Sequence, residues 1–278
     1  MTITIVSTPV WQGEPSRYPL FRRWQERQYA KRFFAHTAST HHIYRGVFPS
    51  FEEAQASIPE NRAAGYDNTP SAQLYRERTR LVFLNDYPMI YWLGRYLNEG
   101  ARHVYDLGGH IGIAYYAYQK LLDYPNGLTW TVHDVPAVNA AGESWALAND
   151  PPQRLRFSPD VGDASGSDVF FAAGSLQYLN YTLEHALARM AQRPRFVLLN
   201  SVPVHPRESF FTVQNIGVAC CPYRVIAERA FLDPLRAMGY RLEDRWENTQ
   251  RHCTVPFHPE LSLDRYFGFA FRLADPGS

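Results

Sequence analysis

Short apolar runs alternate with helical segments from residue 102 onward. Runs rich in β-branched and aromatic residues predict strands at HVYDLG, LTWTVHD, RLRFS, DVFFAAG and RFVLLN. Helical periodicity occupies residues 112–123, 136–149 and 176–192 between them, and this alternation predicts βαβ units with a mostly parallel sheet. Farther on, the pattern predicts a helix that stops at Gly239, a strand after it, and a final antiparallel strand, RYFGFAFRL.

Residues 17–99 follow a different pattern, with apolar residues at helical spacing and no strand alternation longer than a few residues. One helix is expected to break near Pro88 and to end at Gly100, and another to begin at Ser50 in a capping box with Glu53. We therefore expect a helical cap over residues 1–100 and an α/β domain over residues 101–278. The cap is either a packing layer or a lid over the sheet.

Charge, hydropathy and cysteine content limit the classes of protein to which this chain can belong. Lys and Arg number 28 against 27 Asp and Glu, giving a net charge of +1 over 278 residues, so we expect no nucleic-acid partner. No apolar stretch approaches the about 20 residues that span a bilayer, and the N-terminus lacks a signal-peptide pattern, so we expect a cytoplasmic protein without a membrane partner. The 3 cysteines form neither a disulfide framework nor a metal pattern, and no metal is expected. The oligomeric state stays open.

The stretch VYDLGGHIG predicts a strand that ends at Asp106 and continues into a glycine turn. Gly108, Gly109 and Gly112 allow backbone N–H groups to approach an anionic ligand at the start of the next helix. The dinucleotide fingerprint fails here, because His110 and Ile113 stand where its second and third glycines would be.

A second acid, Asp134, ends the next predicted strand in WTVHD. A carboxylate at that place can accept hydrogen bonds from both hydroxyl groups of a ribose. The order strand, glycine loop, helix, strand and acid therefore predicts a site for a nucleoside-containing cofactor.

VYDLGGHIG and VHD resemble motifs I and II of the class I S-adenosylmethionine-dependent methyltransferases. The similarity extends to a bacterial family of class I methyltransferases with a helical N-terminal region and largely undefined chemistry. It covers about residues 43–272 and includes GVFPSFEEA, GYD, GSLQYL, LLNSVPVH, FFTVQNIG, CCPYRVIAE and GYRLEDRW. The resemblance implies a Rossmann-like fold with a seven-stranded, mostly parallel sheet and a terminal antiparallel strand. It implies S-adenosylmethionine as the cofactor.

The resemblance also implies roles for individual residues. Asp106, Gly108, Gly109 and Gly112 would line the methionine and ribose side of the cofactor, and Asp134 would hold the ribose. Asp163 would meet the adenine amine, with Asp160 as a near alternative. The segment after the fourth strand, Gly174, Ser175, Leu176 and Gln177, would lie beside the sulfonium.

His110 departs from the motif and has two interpretations. Its side chain either points out of the loop to solvent or enters the pocket, where it would touch the substrate or the methionine carboxylate.

Aromatic rings suit a sulfonium because they attract a cation without offering a nucleophile. Tyr115 and Tyr178 are therefore the predicted cradle, with Tyr116 as a further candidate. A general base is harder to find. His205 lies just beyond the fifth strand and is the first candidate, either as a proton acceptor or as a loop residue, and His41, His42, His252 and His258 are weaker ones.

These residues lead to three functional hypotheses. The first is methyl transfer to a small-molecule acceptor in bacterial secondary metabolism. The second is cyclisation of S-adenosylmethionine to azetidine-2-carboxylic acid and methylthioadenosine, in which no second substrate takes part. The third is a catalytically inactive protein that only binds the cofactor.

Overall fold

The computed structural model describes residue 15 and residues 18–37, 42–65, 67 and 76–274. Its main sheet has seven strands in the order β4-β3-β2-β5-β6-β11-β10. The strands are β2 (His103–Leu107), β3 (Thr129–His133), β4 (Leu155–Ser158), β5 (Val169–Ala173), β6 (Phe196–Val202), β10 (Tyr240–Asn248) and β11 (Tyr266–Leu273).

Strands β2 to β6 are parallel, whereas β11 is antiparallel to both of its neighbours, β6 and β10. This strand order with one reversed strand is that of the class I methyltransferase fold. The predicted fold class is therefore confirmed.

Helices cover both faces of the main sheet, as a parallel sheet requires. One face packs on α3 (Tyr87–Asn98) and α4 (Ile113–Tyr118), and the other packs on α6 (Leu183–Ala188) and α7 (Glu228–Ala237). Alternate strand residues supply the two cores, so that Val104 faces α3 and α4 while its neighbour Tyr105 faces the opposite layer. Helix α5 (Pro136–Asn149) lies beside β4.

A second sheet of four strands has the order β1-β8-β9-β7. Its strands are β1 (Ile43–Phe48), β7 (Val204–His205), β8 (Phe210–Asn215) and β9 (Cys220–Ala227). Strand β1 pairs with β8, which is about 170 residues away in the chain (Ile43 with Asn215). The prediction that the N-terminal region is purely helical is wrong at β1, because only this distant pairing makes a strand of a six-residue segment.

Helices α1 (Pro19–Ala35) and α2 (Phe51–Ala56) pack on the second sheet. Ser50 caps α2 as predicted, since its hydroxyl accepts from the Glu53 N–H at 3.1 Å. Pro88 was expected to break a helix, but it lies in the first turn of α3, where its missing N–H costs nothing. The helix expected over 176–192 is interrupted and contains a 3-10 turn, Leu176–Tyr178, followed by α6. Residues 38–41, 66 and 68–75, also part of the predicted helical cap, lie outside the described residues.

No helix in the described part of the chain is long and apolar enough to cross a membrane. The predicted division at residue 100 remains a prediction, although the second sheet takes strands from both sides of it.

Candidate functional site

The ends of β2, β3, β5 and β6 form one edge of the main sheet, here called the carboxyl edge. The glycine loop lies there between β2 and α4. Gly108 (φ 73°) and Gly112 (φ 86°) adopt the left-handed conformation that glycine reaches without strain. A Cβ on Gly108 would overlap the Cβ of Ser175, so the loop and the end of β5 fit together only because this side chain is absent.

Asp106 lies under the loop with its side chain 1% exposed. Trp130 Nε1 donates to its Oδ2 at 3.0 Å, and a Cβ on Gly109 would lie 2.5 Å from its Cγ. Burial raises the pKa of Asp106 to about 7, against the lowering effect of the Trp130 hydrogen bond and with a smaller raising effect of Asp134. The loop thus covers a carboxyl group whose charge the protein itself neutralises poorly.

Asp134 joins the loop to the end of β3. Its Oδ2 accepts from the His110 N–H at 2.9 Å and its Oδ1 from the Val135 N–H at 2.8 Å. Each carboxylate oxygen has two lone pairs, so both oxygens can still accept from ribose hydroxyls. Burial raises the pKa of Asp134, and the two amide donors oppose that effect.

His110 adopts a positive φ of 56°, the conformation that a glycine at this position would take. Its side chain is 7% exposed, so the interpretation that it points to solvent is wrong. Contact with the substrate or the methionine carboxylate remains a prediction.

The two candidate acids for adenine lie in the turn after β4, and both are exposed. Asp160 uses Oδ1 to accept from the Gly162 N–H at 2.8 Å, which caps the turn. Asp163 accepts from the Ser158 hydroxyl at 2.5 Å. Since Asp160 is the capping residue, Asp163 stays the better candidate for contact with a ligand.

The end of β5 lies beside the glycine loop at the carboxyl edge. Ser175 donates from its hydroxyl to the Leu107 carbonyl, which ties β5 to β2. Gln177 folds back on its own turn, where Nε2 donates to the Gly174 carbonyl at 2.8 Å. Its Oε1 is buried and has no hydrogen-bond partner among the described residues.

Tyr115 does not lie at the carboxyl edge. Its hydroxyl donates to Asp150 Oδ1 at 2.7 Å, and its ring packs between Tyr124 and Trp130 in the core. The prediction that it cradles a sulfonium is therefore corrected: a residue on the first turn of α4 faces the sheet rather than its edge. Tyr116 lies next to it, and its hydroxyl is also buried.

Tyr178 does lie at the carboxyl edge, at the end of the 3-10 turn after β5. Its hydroxyl donates to Gln214 Oε1 at 2.7 Å, and its ring meets Tyr223 edge-on at 5.2 Å. Gln214 and Tyr223 belong to the second sheet, so Tyr178 connects that sheet to the carboxyl edge.

His205 is a structural residue. Its Nδ1 accepts from the Glu208 N–H at 2.8 Å and the Arg207 N–H at 3.2 Å, while Nε2 lies 3.1 Å from the Glu260 carbonyl. Both ring nitrogens therefore hold loops together, and the prediction of a general base here is corrected. Of the weaker candidates, His258 contacts Glu260 at 3.4 Å, and His42 lies 3.4 Å from Gln214 on β8. The His252 carbonyl accepts from the Tyr266 hydroxyl on β11, and His41 lies outside the described residues.

A polar group at the end of β6 was not predicted. The side chain of Asn200 donates to the Asn85 carbonyl at 2.8 Å and accepts from the Ser201 N–H at 2.9 Å. Ser201 Oγ in turn accepts from Asn248 Nδ2 at 3.1 Å. The signal was present in LLNSVPVH, where two polar residues end an otherwise apolar strand.

Metal and disulfide chemistry find no support in the described ranges. No group of three or more His, Cys, Asp or Glu there could hold a metal ion. Cys220, Cys221 and Cys253 are buried free thiols.

No protein-family model matches the sequence. No curated protein matches it. Solved structures do. The magnesium protoporphyrin IX methyltransferase of Synechocystis PCC 6803 with bound SAM is 14% identical, with a TM-score of 0.42, over 67% of this chain and 77% of that one. The 1,6-didemethyltoxoflavin-N1-methyltransferase of Burkholderia thailandensis with bound S-adenosylhomocysteine is 18% identical, with a TM-score of 0.40, over 70% and 92%. The mitomycin 7-O-methyltransferase is 15% identical, with a TM-score of 0.44, over 92% and 69%. At these values the fold assignment rests on the strand order of this chain itself.

Proposed function

We propose that this protein is an S-adenosylmethionine-dependent methyltransferase that acts on a small-molecule acceptor of bacterial secondary metabolism. The observation that carries the proposal is the carboxyl edge. A glycine loop, a buried acid beneath it and an acid at the end of the next strand meet there in the fold whose class uses them for this cofactor.

The residues present fit the cofactor. Asp106 is a buried carboxyl with one neutral donor, Trp130, and the ammonium group of the methionine part would supply the missing positive charge. Asp134 keeps lone pairs for the ribose hydroxyls, and Asp163 lies exposed for the adenine amine. Tyr178 offers an aromatic face near the end of β5, where the sulfonium is expected.

When bound at this edge, S-adenosylmethionine would supply an electrophilic methyl group for a lone pair of the acceptor, and the electron pair of the S–CH₃ bond would stay on sulfur. This chain has to align the acceptor and exclude water. The second sheet serves that purpose, because Tyr178 packs against it at the carboxyl edge. No general base is assigned, so the acceptor would react as an anion or release its proton to solvent.

Intramolecular cyclisation needs no site for a second substrate. No observation on the described residues specifically favours cyclisation, or a protein that only binds the cofactor, over methyl transfer.

The test begins with calorimetry of S-adenosylhomocysteine binding to the purified protein. Absence of binding at millimolar ligand would refute the proposal. The protein is then incubated with S-adenosylmethionine, alone and with a library of small acids, phenols and amines, and the products are separated by mass spectrometry. S-adenosylhomocysteine that appears only with an acceptor supports methyl transfer. Methylthioadenosine formed without any acceptor would show cyclisation instead.

A further inference from the structure

Helix α1 packs on the second sheet through one of its sides. Tyr29 and Phe33 are buried on that side, and the Tyr29 hydroxyl donates to the Tyr44 carbonyl at 2.7 Å. Asn215 Nδ2 on β8 donates to the Phe33 carbonyl at 2.7 Å. These contacts hold the helix in place and set which of its sides points away from the sheet.

Large apolar side chains are exposed on the side that points away. Leu20 is 80% exposed, Phe21 52% and Trp24 53%, and the rings of Phe21 and Trp24 stack with their centroids 5.2 Å apart. Leu20 and Trp24 are four residues apart, so they are neighbours on the helix surface. Adjoining apolar side chains in this position are typical of an interaction surface.

Exposed basic residues continue the same side of α1. None of them forms an ion pair within the ranges that the structure describes, and they are Arg23, Arg27, Lys31 and Arg32. The one acid of the helix, Glu26, pairs instead with Arg22 at 3.1 Å. Helix α1 therefore has five basic side chains against one acidic side chain, although the net charge of the whole chain is only +1.

The apolar and basic residues form one stripe along the helix. Leu20, Trp24, Arg27 and Lys31 follow one another at spacings of three and four residues, which places them on one side of a helix. We call this stripe the outer face of α1. Its first part is apolar and its second part is cationic.

We propose that the outer face of α1 binds the surface of a membrane that contains anionic lipids. Leu20 and Trp24 would enter the boundary between the headgroups and the acyl chains, as in helices that lie in the plane of a membrane. Arg27 and Lys31 would meet the lipid phosphates while their methylene stems cover apolar surface. The sequence-based expectation of no membrane partner considered only spanning segments, and binding in the plane of the membrane needs none.

A second copy of this chain and a nucleic acid fit the outer face less well. Two copies of the outer face would bring unpaired cations together, and like charges repel. A nucleic acid would neutralise the cations and could stack on Trp24, but it leaves Leu20 in water, and Leu20 is the most exposed of the three apolar residues. An anionic lipid surface satisfies both parts of the face.

The test measures co-sedimentation of the full chain with vesicles of phosphatidylcholine, either alone or mixed in equal amounts with phosphatidylglycerol. At about 0.1 M salt the affinity for the mixed vesicles should be tenfold or more higher than for the neutral vesicles. At about 1 M salt this preference should shrink, because the screening length falls to about 3 Å. Equal binding to the two kinds of vesicle, or binding to neither, would overturn the proposal.

Two matched pairs of substitutions locate the contact. Arg27→Gln with Lys31→Gln should weaken binding to the mixed vesicles about tenfold or more, since each basic residue near an anionic surface contributes roughly a fivefold change. Arg156→Gln with Arg189→Gln removes the same charge from exposed positions on β4 and after α6, and its binding should equal that of the wild type. An equal loss in the two variants would show that net charge rather than α1 sets the affinity, and would refute the assignment.

Trp24 reports the apolar part of the contact. Mixed vesicles with brominated acyl chains should quench tryptophan emission, and most of this quenching should be lost in Trp24→Phe, which keeps the binding. Leu20→Gln with Trp24→Gln should weaken binding and change the melting temperature by less than about 3 °C, because both side chains are exposed. Quenching that persists in Trp24→Phe would place the membrane contact on another surface and contradict the proposal.

Two further measurements address the other partners. Sedimentation velocity without vesicles should show no dimer that Leu20→Gln with Trp24→Gln abolishes, and such a dimer would make the outer face a protein interface. A single-stranded RNA should bind more weakly than the mixed vesicles, and tighter binding would assign the face to nucleic acid; either result would overturn the proposal. These experiments use no S-adenosylmethionine, so their outcome does not depend on the proposed function.

Discussion

Replacing Asp106 with Asn should make the ligand-free protein more stable, and more so at high pH. The carboxyl is 1% exposed and accepts from one neutral donor, Trp130 Nε1. Burial raises its pKa from 3.8 to about 7. The folded state therefore holds this proton more tightly than the unfolded state does, and ionisation of Asp106 costs stability. An amide at this position keeps an oxygen for Trp130 and carries no charge at any pH.

The magnitude follows from the two pKa values. At about 1.4 kcal/mol for each tenfold change in the dissociation constant, the cost reaches roughly 4 kcal/mol. It is absent below about pH 4, grows as the pH rises, and is complete above about pH 7. The advantage of Asp106→Asn in the free energy of unfolding should thus increase by about 2 to 3 kcal/mol between pH 5 and pH 8. Comparing the two pH values cancels any effect of the substitution that does not depend on pH.

Urea denaturation at the two pH values measures this difference. Asp168→Asn is the matched control, because Asp168 lies at the opposite edge of the sheet and accepts from the Arg102 and His103 amides at 2.7 and 2.9 Å. That variant should be less stable than the wild type, since charge-assisted hydrogen bonds are lost. Asp106→Asn should bind S-adenosylhomocysteine at least tenfold more weakly, because the ammonium loses its carboxylate. An Asp106→Asn variant that is destabilised equally at both pH values would refute the reasoning.

Gly108→Val should abolish S-adenosylhomocysteine binding by calorimetry and lower the melting temperature, because its side chain would overlap Ser175 at a positive φ of 73°; normal binding would exclude the loop from the site. Asp134→Ala should weaken S-adenosylhomocysteine by about 2 kcal/mol, and an unchanged affinity would remove Asp134 from the cofactor. Tyr178→Phe should keep most of the methyl-transfer rate, while Tyr178→Leu should lower that rate roughly tenfold. A Leu variant faster than the Phe variant would show that the hydroxyl, and not the ring, contributes to the reaction. His205→Ala should lower the free energy of unfolding by about 1 to 3 kcal/mol and leave the pH profile of turnover unchanged. Loss of one limb of that pH profile would show that His205 acts as a general base.

The main sheet could be predicted because its strands carry their own signal. Each of β2, β5 and β6 is a short, mostly apolar run that is buried on both faces, and this makes the runs visible in the sequence. Strand β3 instead alternates between buried and partly buried residues, which is the other pattern typical of a strand. The second sheet carries no comparable signal. Strand β1 has a half-exposed pattern and a positive-φ glycine, Gly46, so its identity depends on β8, a segment far away in the chain.

Side-chain roles were harder to predict than backbone positions. Tyr115 and Tyr178 both follow strands at the correct edge, yet one turn of helix decides that Tyr115 enters the core. His205 was placed correctly after β6, but hydrogen bonds to two neighbouring backbone N–H groups and to the distant Glu260 carbonyl set its role.

The glycine loop shows that backbone shape, rather than the number of glycines, defines the motif. Gly108, His110 and Gly112 all have positive φ, so the loop keeps its form with a histidine at a typical glycine position. A non-glycine residue in this conformation costs of order 1 kcal/mol, and the hydrogen bond from the His110 N–H to Asp134 at 2.9 Å helps to offset it. The loop and Asp134 are therefore one structural unit. Since the same carboxylate is proposed to hold the ribose, a hydrogen bond within the chain fixes the loop relative to the proposed ribose site, and a loop held in this way needs less of the binding free energy for its ordering.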